Sequence, residues 1–375
     1  MSQPTVSFEF FPPQSLEASF RLWDTVNTLA HFDPSFVSVT YGAGGTTRAL
    51  THEAVETLRS HMGLNVAAHL TCEDATRAET LAIADQYARA GVSRIVAMRG
   101  DPPKGAGQFA VHPDGFASSV DLVEALAQTG KFDITVGAYP DPHPEAADGN
   151  ADIDWLKRKI DAGASSAITQ FFFEAETFFR FRDRCADAGI TAQIIPGILP
   201  IENWSGTRAF AKRCGANVPT ELATMFETAE RDGRTDLLAT AVCTELCSDL
   251  LDDGIDHLHF YTLNKPGLTR DVVHALGLAP DTALANVACH GRNERPKPLT
   301  LRLVQTPQPA AICLRLRGAI AHLGPDQPDA FGVQGISSPN CATSRPTDCH
   351  YTVCRHMQAS HSNISASIDI LLLFQ

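Results

Sequence analysis

A single carboxylate lies inside an apolar stretch near the start of the chain. The stretch reads SFEFFPPQ, with Glu9 between Phe8 and Phe10 and with two prolines after Phe11. A carboxylate held among apolar side chains is partly desolvated, and desolvation raises its pKa. With a near-neutral pKa it could donate a proton at pH 7, so Glu9 is a candidate general acid. The competing interpretation is that Glu9 points outward to solvent while the phenylalanines face the core.

The Glu9 stretch is the first of eight short apolar runs with strand character, which amphipathic helical segments separate. The runs cover residues 6–11, 36–40, 66–70, 94–98, 134–138, 167–173, 193–198 and 258–262. The helical segments include 50–62, 76–90, 116–129, 152–162, 175–188, 205–214, 235–252 and 268–277. This alternation predicts an α/β fold, a (β/α)8 TIM barrel. A doubly wound open sheet also alternates strands and helices, and the count of eight favours the barrel.

Polar or aromatic residues stand where nearly every predicted strand ends. In a barrel of this type the active site forms at the carboxyl ends of the strands. Prominent positions are Glu9, Thr40, Tyr41, His69, Arg99, Asp101, Tyr139, Gln170 and Tyr261. Polar residues also end strands for purely structural reasons. A site is therefore indicated by the recurrence of polar and aromatic residues around one rim, and not by any single position.

No nucleotide-binding motif occurs in a suitable context. The segment GAGQFA (105–110) fits G-x-G-x-x-A, but no predicted strand runs directly into it. The segment YGAGGTT (41–47) follows a strand but lacks the third small residue. A nucleotide cofactor would therefore bind without a Rossmann turn. Cys243 and Cys247, four residues apart on a predicted helix, are interpreted as small core residues.

The overall composition limits the classes of binding partner and the cellular compartment that we expect. No apolar run approaches the roughly 20 residues of a membrane-spanning helix, and the start lacks the features of a secretory signal. Ten cysteines without a signal are typical of reduced thiols. A net charge of −13 argues against nucleic-acid and anionic lipid partners. We expect a cytoplasmic protein that binds neither nucleic acid nor membranes.

A change of composition near residue 285 divides the chain. Residues 286–375 hold 8 basic and 5 acidic residues, which leaves 22 basic and 38 acidic residues in residues 1–285. The last 90 residues also contain 8 prolines but only 3 aromatic residues, too little material for a core. We expect one catalytic domain over residues 1–285. For residues 286–375 we expect an irregular, disordered extension or the product of a shifted reading frame.

Metal binding is not predicted anywhere in the chain. The last 90 residues include the segment DCHYTVCRH, with two cysteines and two histidines. Their spacing fits no standard zinc motif.

Nine motifs of the first domain together resemble one protein family. They are SFEFFPP, SVTYGA, HLTC, MRGDPP, AYPDPHPEA, LKRKIDAGA, ITQFFF, IIPGILP and HFYTLN. The region from about residue 6 to 280 resembles the flavin-dependent methylenetetrahydrofolate reductases of the bacterial type. The resemblance implies a barrel with non-covalent FAD that reduces 5,10-methylenetetrahydrofolate to 5-methyltetrahydrofolate with NADH or NADPH. It further implies ping-pong kinetics, a role in methionine synthesis and a homo-oligomer.

The resemblance also assigns roles by position. It implies that Glu9 is the general acid and that Asp101 supplies a fixed charge near the flavin and the folate. The implied flavin contacts are Thr40, Tyr41, Ala43, His69, Arg99, Gly100, Asp101, Tyr139, His143, Asp152, Arg158 and Lys159. The implied substrate contacts are Gln170, Phe210, Tyr261 and Lys265.

Three positions differ from the family pattern, and two other functions compete with the reductase. Gly206 stands where an amide is common, Lys265 where arginine is common, and Trp155 where asparagine is common. Lysine is a point charge in place of a bidentate fork, so the details of folate and flavin binding are open. The competing functions are another folate- or flavin-using barrel with different chemistry, for instance a folate-dependent methyltransferase, and a barrel that binds a partner without catalysis.

Overall fold

The predicted apolar runs form parallel β-strands that alternate with helices. A computed structural model describes residues 4–41, 48–73, 75–100, 111–146 and 148–278, and three short strands after residue 300. The parallel strands are β1 (Thr5–Phe10), β2 (Phe36–Val39), β3 (Val66–Thr71), β4 (Arg94–Met98), β5 (Asp133–Ala138), β6 (Ser166–Thr169), β7 (Gln193–Ile195), β8 (Gly197–Ile198) and β9 (His257–Tyr261).

These strands close into a barrel. Their order in the sheet is β7-β6-β5-β4-β3-β2-β1-β9-β8. Only Pro196 separates β7 from β8, and proline interrupts a strand because it has no backbone N–H to donate. Since β7 pairs with β6 while β8 pairs with β9, the two short pieces act as one strand that joins both ends of the sheet. The prediction of an eight-stranded (β/α)8 barrel is therefore confirmed, and the open sheet is rejected.

Helices surround the barrel on its outside. They are α1 (Leu16–Leu29), α2 (Arg48–Ser60), α3 (Arg77–Arg89), α4 (Ser119–Thr129), α5 (Gly149–Asp161), α6 (Ala175–Asp187), α7 (Trp204–Cys214), α8 (Thr220–Asp232), α9 (Thr235–Asp252) and α10 (Pro266–Ala275). Helices α1 and α8 were not among the predicted segments. Gly91 follows α3 and takes the left-handed conformation, with φ 81°, that ends the helix before β4.

The alternation of side chains along β1 places Glu9 inside the barrel. Phe8 and Phe10 are fully buried in the main core, which lies between the strands and the helices. Ser7 and Glu9, at the alternating positions, face the barrel interior, where they meet residues of β3 and β9. The outward orientation of Glu9, the competing interpretation, is therefore wrong.

The chain divides into two compact units, Met1–Asn286 and Val287–Gln375. In the second unit the described residues form three antiparallel strands, β10 (Arg302–Gln305), β11 (Ala311–Arg315) and β12 (Thr352–His356), in that order. The rest of this unit lies outside the described residues, so its disorder stays a prediction. Within the described ranges, no helix combines the length and apolar character that a bilayer-spanning segment requires.

Candidate active site

A cavity opens where the strands end at the mouth of the barrel. Its volume is about 420 Å³, within the roughly 300–1,000 Å³ that is usual for ligand pockets. Eight residues predicted from the sequence line it: Glu9, Thr40, Tyr41, His69, Tyr139, Gln170, Phe210 and Tyr261. They come from six different strands or strand exits and from α7. The fold thus brings the predicted rim together.

Other predicted residues lie around or away from this cavity. Arg99, Gly100, His143, Asp152, Arg158 and Lys159 are not among its lining residues. Lys265 lines a separate cavity of about 440 Å³, together with Glu202 and Asp236. Ala43 and Asp101 lie outside the described residues. The structure therefore does not bring Lys265 to the site that holds Glu9.

Glu9 points toward the cavity and is held by polar groups. Its side chain is 16% exposed, and Oε2 lies 3.3 Å from His69 Nε2 and 3.9 Å from His259 Nε2. The Ser38 hydroxyl donates to the same oxygen at 3.5 Å. The Thr262 hydroxyl donates to the backbone oxygen of Glu9 at 2.7 Å, which ties the end of β1 to the exit of β9. The carboxylate is therefore surrounded by potential donors.

The pKa of Glu9 is not the near-neutral value expected from its sequence neighbours. Burial raises the pKa of this carboxyl group, but hydrogen bonds and charge interactions with His259 and His69 outweigh burial and lower the pKa from 4.5 to about 2. The expectation was wrong because Phe8 and Phe10 point away from the carboxylate. Glu9 is ionised at pH 7 in this arrangement, so it needs a change in its histidine contacts before it can act as an acid.

His69 lines the cavity with both of its ring nitrogens buried. It is 3% exposed, and neither ring nitrogen has a well-aligned hydrogen bond to any residue that the structure describes. Glu9 Oε2 lies 3.3 Å from Nε2 but is not aligned for a good hydrogen bond. A buried imidazole without partners is costly unless a ligand or water satisfies it. His69 is thus a candidate ligand contact.

Aromatic rings form part of the lining of the cavity that holds Glu9. The Phe210 and Phe171 rings pack with centroids 5.0 Å apart. The Tyr261 hydroxyl donates to the Thr169 backbone oxygen at 2.6 Å, which fixes the ring at the rim. The Gln170 side-chain oxygen accepts a hydrogen bond from the Phe171 backbone N–H at 3.0 Å. Flat apolar surfaces of this kind suit a planar ring system.

The loop between β5 and α5 is fixed by several predicted residues. The Asp152 carboxylate accepts a hydrogen bond from the His143 backbone N–H at 2.9 Å. The His143 ring packs edge-on against Tyr139, with centroids 4.7 Å apart. Arg99 Nη1 lies 2.6 Å from Glu145 Oε2, which connects the exit of β4 to the same loop. Asp152 therefore orders this loop, which carries Tyr139 into the cavity.

The basic residues of α5 lie in different environments. Lys159 is 6% exposed and its ammonium group donates to the Gly137 backbone oxygen. Burial lowers the pKa of Lys159 to about 8, while the charge of Asp152 acts in the opposite direction. The Arg158 guanidinium lies 5.7 Å from the Trp155 ring centroid. Lys159 therefore points inward from the helix.

Several residues at the site were not predicted from the sequence. His259 and His257 were not singled out, although HLHFY alternates polar and apolar residues and so predicts an inward-facing set. Gly137, on the cavity wall, has open space where a Cβ would be. Asn264 holds Phe11 with two hydrogen bonds of 2.9 Å, from Nδ2 to the Phe11 oxygen and from the Phe11 N–H to Oδ1.

Comparison with known proteins identifies the family. The family model described as methylenetetrahydrofolate reductase matches residues 1–277. The 5,10-methylenetetrahydrofolate reductases of Pectobacterium carotovorum and Escherichia coli are each 44% identical over 279 residues, which cover 74% of this chain and 92% of each relative. The methylenetetrahydrofolate reductase (NADH) 1 of Arabidopsis thaliana is 33% identical over 295 residues, which cover 76% of this chain and 50% of that relative.

The matched region contains the whole barrel and the cavity at its mouth. It ends close to the last residue of α10, so the family likeness and the first structural unit cover nearly the same residues. The chain therefore belongs to the methylenetetrahydrofolate reductase family, in its bacterial type.

Proposed function

We propose that the protein reduces 5,10-methylenetetrahydrofolate to 5-methyltetrahydrofolate with NADH or NADPH, through bound FAD. The observation that carries the proposal is the position of Glu9. Its carboxylate faces the cavity at the barrel mouth, whose lining also includes the aromatic rings of Phe210 and Tyr261. A folate bound in this cavity would meet both a proton source and a stacking surface.

The residues of the cavity fit a flavin. Gly137 leaves open space at the wall, where a larger side chain would project into the cavity. His69 has two buried ring nitrogens without a well-aligned partner among the described residues, and these could bond the polar edge of the ring. We propose that the flavin is held by Thr40, Tyr41, His69, Arg99, Gly100, Tyr139, His143, Asp152 and Arg158. Lys159 would act indirectly, by holding the β5 backbone at Gly137.

Glu9 is proposed to make the folate reactive. The methylene bridge between N5 and N10 accepts a hydride poorly while the five-membered ring is closed. A proton delivered by Glu9 to N10 opens the ring and leaves an iminium cation at N5, which is a good hydride acceptor. General acid assistance of this kind typically contributes about 10²–10⁴-fold in rate. When bound, FAD would carry the hydride between the nicotinamide and the folate.

One cavity would serve both substrates in turn. The described residues form a single opening next to Glu9, and Gln170 and Phe210 stand on its wall. The nicotinamide would therefore have to leave before the folate stacks in its place. This arrangement gives ping-pong kinetics.

The proposal is tested with the two half-reactions measured separately. The purified protein should show a flavin absorption spectrum that bleaches with NADH or NADPH and returns when methylenetetrahydrofolate is added. Glu9→Gln should slow the return by about 10²-fold or more and leave the bleaching within about twofold. Gln keeps the size and polarity of the side chain but has no acidic proton to give.

Each competing function predicts a different result. A folate-dependent methyltransferase would be colourless and would not oxidise a nicotinamide. A barrel that binds a partner without catalysis would show neither bleaching with a nicotinamide nor a return of colour with the folate. An unchanged return rate in Glu9→Gln would contradict the assignment of the acid. The role in methionine synthesis, the homo-oligomer and the cytoplasmic location stay predictions.

A further inference from the structure

A chain of polar side chains runs through the barrel interior beneath Glu9. Ser7 Oγ lies 2.7 Å from His259 Nδ1 and 2.9 Å from His257 Nε2. Ser35 Oγ lies 3.1 Å from the same nitrogen of His257. Ser7 and His259 are completely buried and His257 is nearly so. The function proposed above uses none of these four residues, yet the chain ends 3.9 Å from the Glu9 carboxylate.

Packing holds both imidazole rings in place. The Phe36 ring lies 5.6 Å from the His257 ring and 5.7 Å from the His259 ring, measured between centroids. The Arg94 guanidinium lies 4.8 Å from the Phe36 ring. Burial lowers the pKa of His257 to about 3 and also lowers the pKa of His259. Both rings are therefore neutral at pH 7, and each carries a single N–H.

In two arrangements of the protons, Ser7 accepts from one histidine and donates to the other. In the first, His257 Nε2 donates to Ser7, Ser7 donates to His259 Nδ1, and the proton of His259 is on Nε2. That N–H faces Glu9 and suits an ionised carboxylate. In the second, His259 Nδ1 donates to Ser7 and Ser7 donates to His257. His259 Nε2 then offers a lone pair, which suits a protonated carboxyl group.

We propose that His259, oriented through Ser7 and His257, changes its tautomer with the protonation state of Glu9 and relays a proton to it. The change is balanced when a hydronium ion of the solvent gives a proton to His257 Nδ1 and leaves as water, each proton of the chain moves one group onward, and His259 Nε2 passes its proton to Glu9. The Nε2-to-carboxylate distance shortens from 3.9 Å to hydrogen-bond length for this transfer. His259, Ser7 and His257 are thus positioning residues that act through Glu9.

This relay explains how a carboxylate surrounded by donors can serve as an acid. With His259 as a donor, the ionised form of Glu9 is favoured, whereas with His259 as an acceptor the neutral acid gains a partner. The other described groups that face Glu9 are His69, Ser38 and Tyr261. The hydroxyl of Tyr261 is already bonded to Thr169, and no described residue aligns with the second nitrogen of His69. Of the two described imidazoles that face Glu9, His259 is the one whose other ring nitrogen bonds a described residue.

The kinetic test compares two buried serines of the barrel interior. Ser7→Ala removes the link between the two histidines. Ser166→Ala is the matched control, because Ser166 bonds Thr135 at 2.9 Å and is not among the described hydrogen-bond partners of the two histidines. The inference rests on the proposed function here, since the readout is folate reduction.

We expect Ser7→Ala to slow the folate half-reaction by about 10–100-fold and to shift its pH profile, with flavin reduction within about twofold. Ser7→Thr, which keeps the hydroxyl, should recover most of the rate, and Ser166→Ala should match the wild type. Equal slowing by Ser7→Ala and Ser166→Ala, or an unshifted pH profile in Ser7→Ala, would overturn the relay.

A second measurement needs neither a variant nor catalysis. The ¹⁵N resonances of the histidine side chains in the full chain report which ring nitrogen carries the proton. At pH 7, with Glu9 ionised, the His259 proton should be on Nε2. A proton on Nδ1 under these conditions would overturn the proposal. A protein with no reductase activity would contradict the proposed function alone, because the ¹⁵N result would still decide the relay.

Discussion

Individual ionisable residues in this protein take their properties from partners that are distant in the chain. Glu9 is flanked by phenylalanines in sequence, but its carboxylate meets His69 from β3 and His259 from β9. These contacts reverse the direction of the pKa change that burial alone would produce. Chemistry at Glu9 is therefore controlled by two imidazoles, and the tautomer of one of them is set by Ser7.

The buried residue Lys159 should make the stability of the protein depend on pH. Its folded-state pKa is lowered to about 8 from 10.5, so between these values the unfolded chain binds a proton that the folded chain does not. The free energy of unfolding should therefore rise as pH increases from about 8 to 10.5, by at most about 3 kcal/mol. Lys159→Met should lose this rise. Urea denaturation at several pH values measures it.

The neighbouring lysine on α5 provides the control. Lys157 is 39% exposed and pairs with Asp161 at the surface, 2.9 Å away. Lys157→Met should keep the pH dependence of the wild type. If Lys157→Met and Lys159→Met had the same pH dependence as each other, the buried position of Lys159 would be contradicted.

At the scale of elements, the exits of β1 and β9 are held together. Asn264 has a left-handed backbone with φ 54° and uses its side-chain amide to bond both backbone groups of Phe11. Thr262 bonds the backbone oxygen of Glu9. The segment that presents the carboxylate is thus fixed by the turn that leads into α10.

Two substitutions of Asn264 should separate the contribution of its hydrogen bonds from that of its left-handed backbone. Asn264→Ala removes two hydrogen bonds and places a Cβ without a polar partner at positive φ, so we expect a loss of about 3 kcal/mol of stability. Asn264→Gly removes the same bonds but tolerates the backbone, so we expect about 2 kcal/mol. Urea denaturation at pH 7 measures both. A wild-type midpoint in Asn264→Ala would show that the two bonds do not hold the exit of β1.

At the scale of the whole molecule, the first unit contains every element of the barrel. The ring of strands closes at β8 and β9, and α10 ends at Ala275, within the family match. The relatives from Pectobacterium and E. coli are covered over 92% of their length by 279 residues of this chain. The second unit is thus outside the part that the family shares.

Shortened chains test the independence of the first unit. A chain of residues 1–286 should keep its flavin, its activity within about twofold and its melting temperature within a few degrees, because its core is complete. A chain of residues 1–256 should fail to fold, because it loses β9 and leaves β1 and β8 unpaired. Loss of folding in the 1–286 chain would show that the barrel depends on the second unit.

The sequence by itself determined the barrel and the position of its mouth. Local patterns carry this information: apolar runs with period two, amphipathic segments between them, and glycines such as Gly91 at helix ends. A count of eight units and the rule about strand ends were enough to gather Glu9, His69, Gln170 and Tyr261 around one opening. Helices α1 and α8 were not anticipated.

Only the tertiary structure decided what surrounds each functional group. Ser7 and His259 are 252 positions apart, and their contact exists because β1 pairs with β9 when the barrel closes. The low pKa of Glu9 and the inward path of Lys159 depend on such long-range contacts, as does the separation of Lys265 from the cavity. The period-two pattern of a strand predicts which face a side chain occupies. It does not predict which side chain from another strand lies against it when the barrel closes.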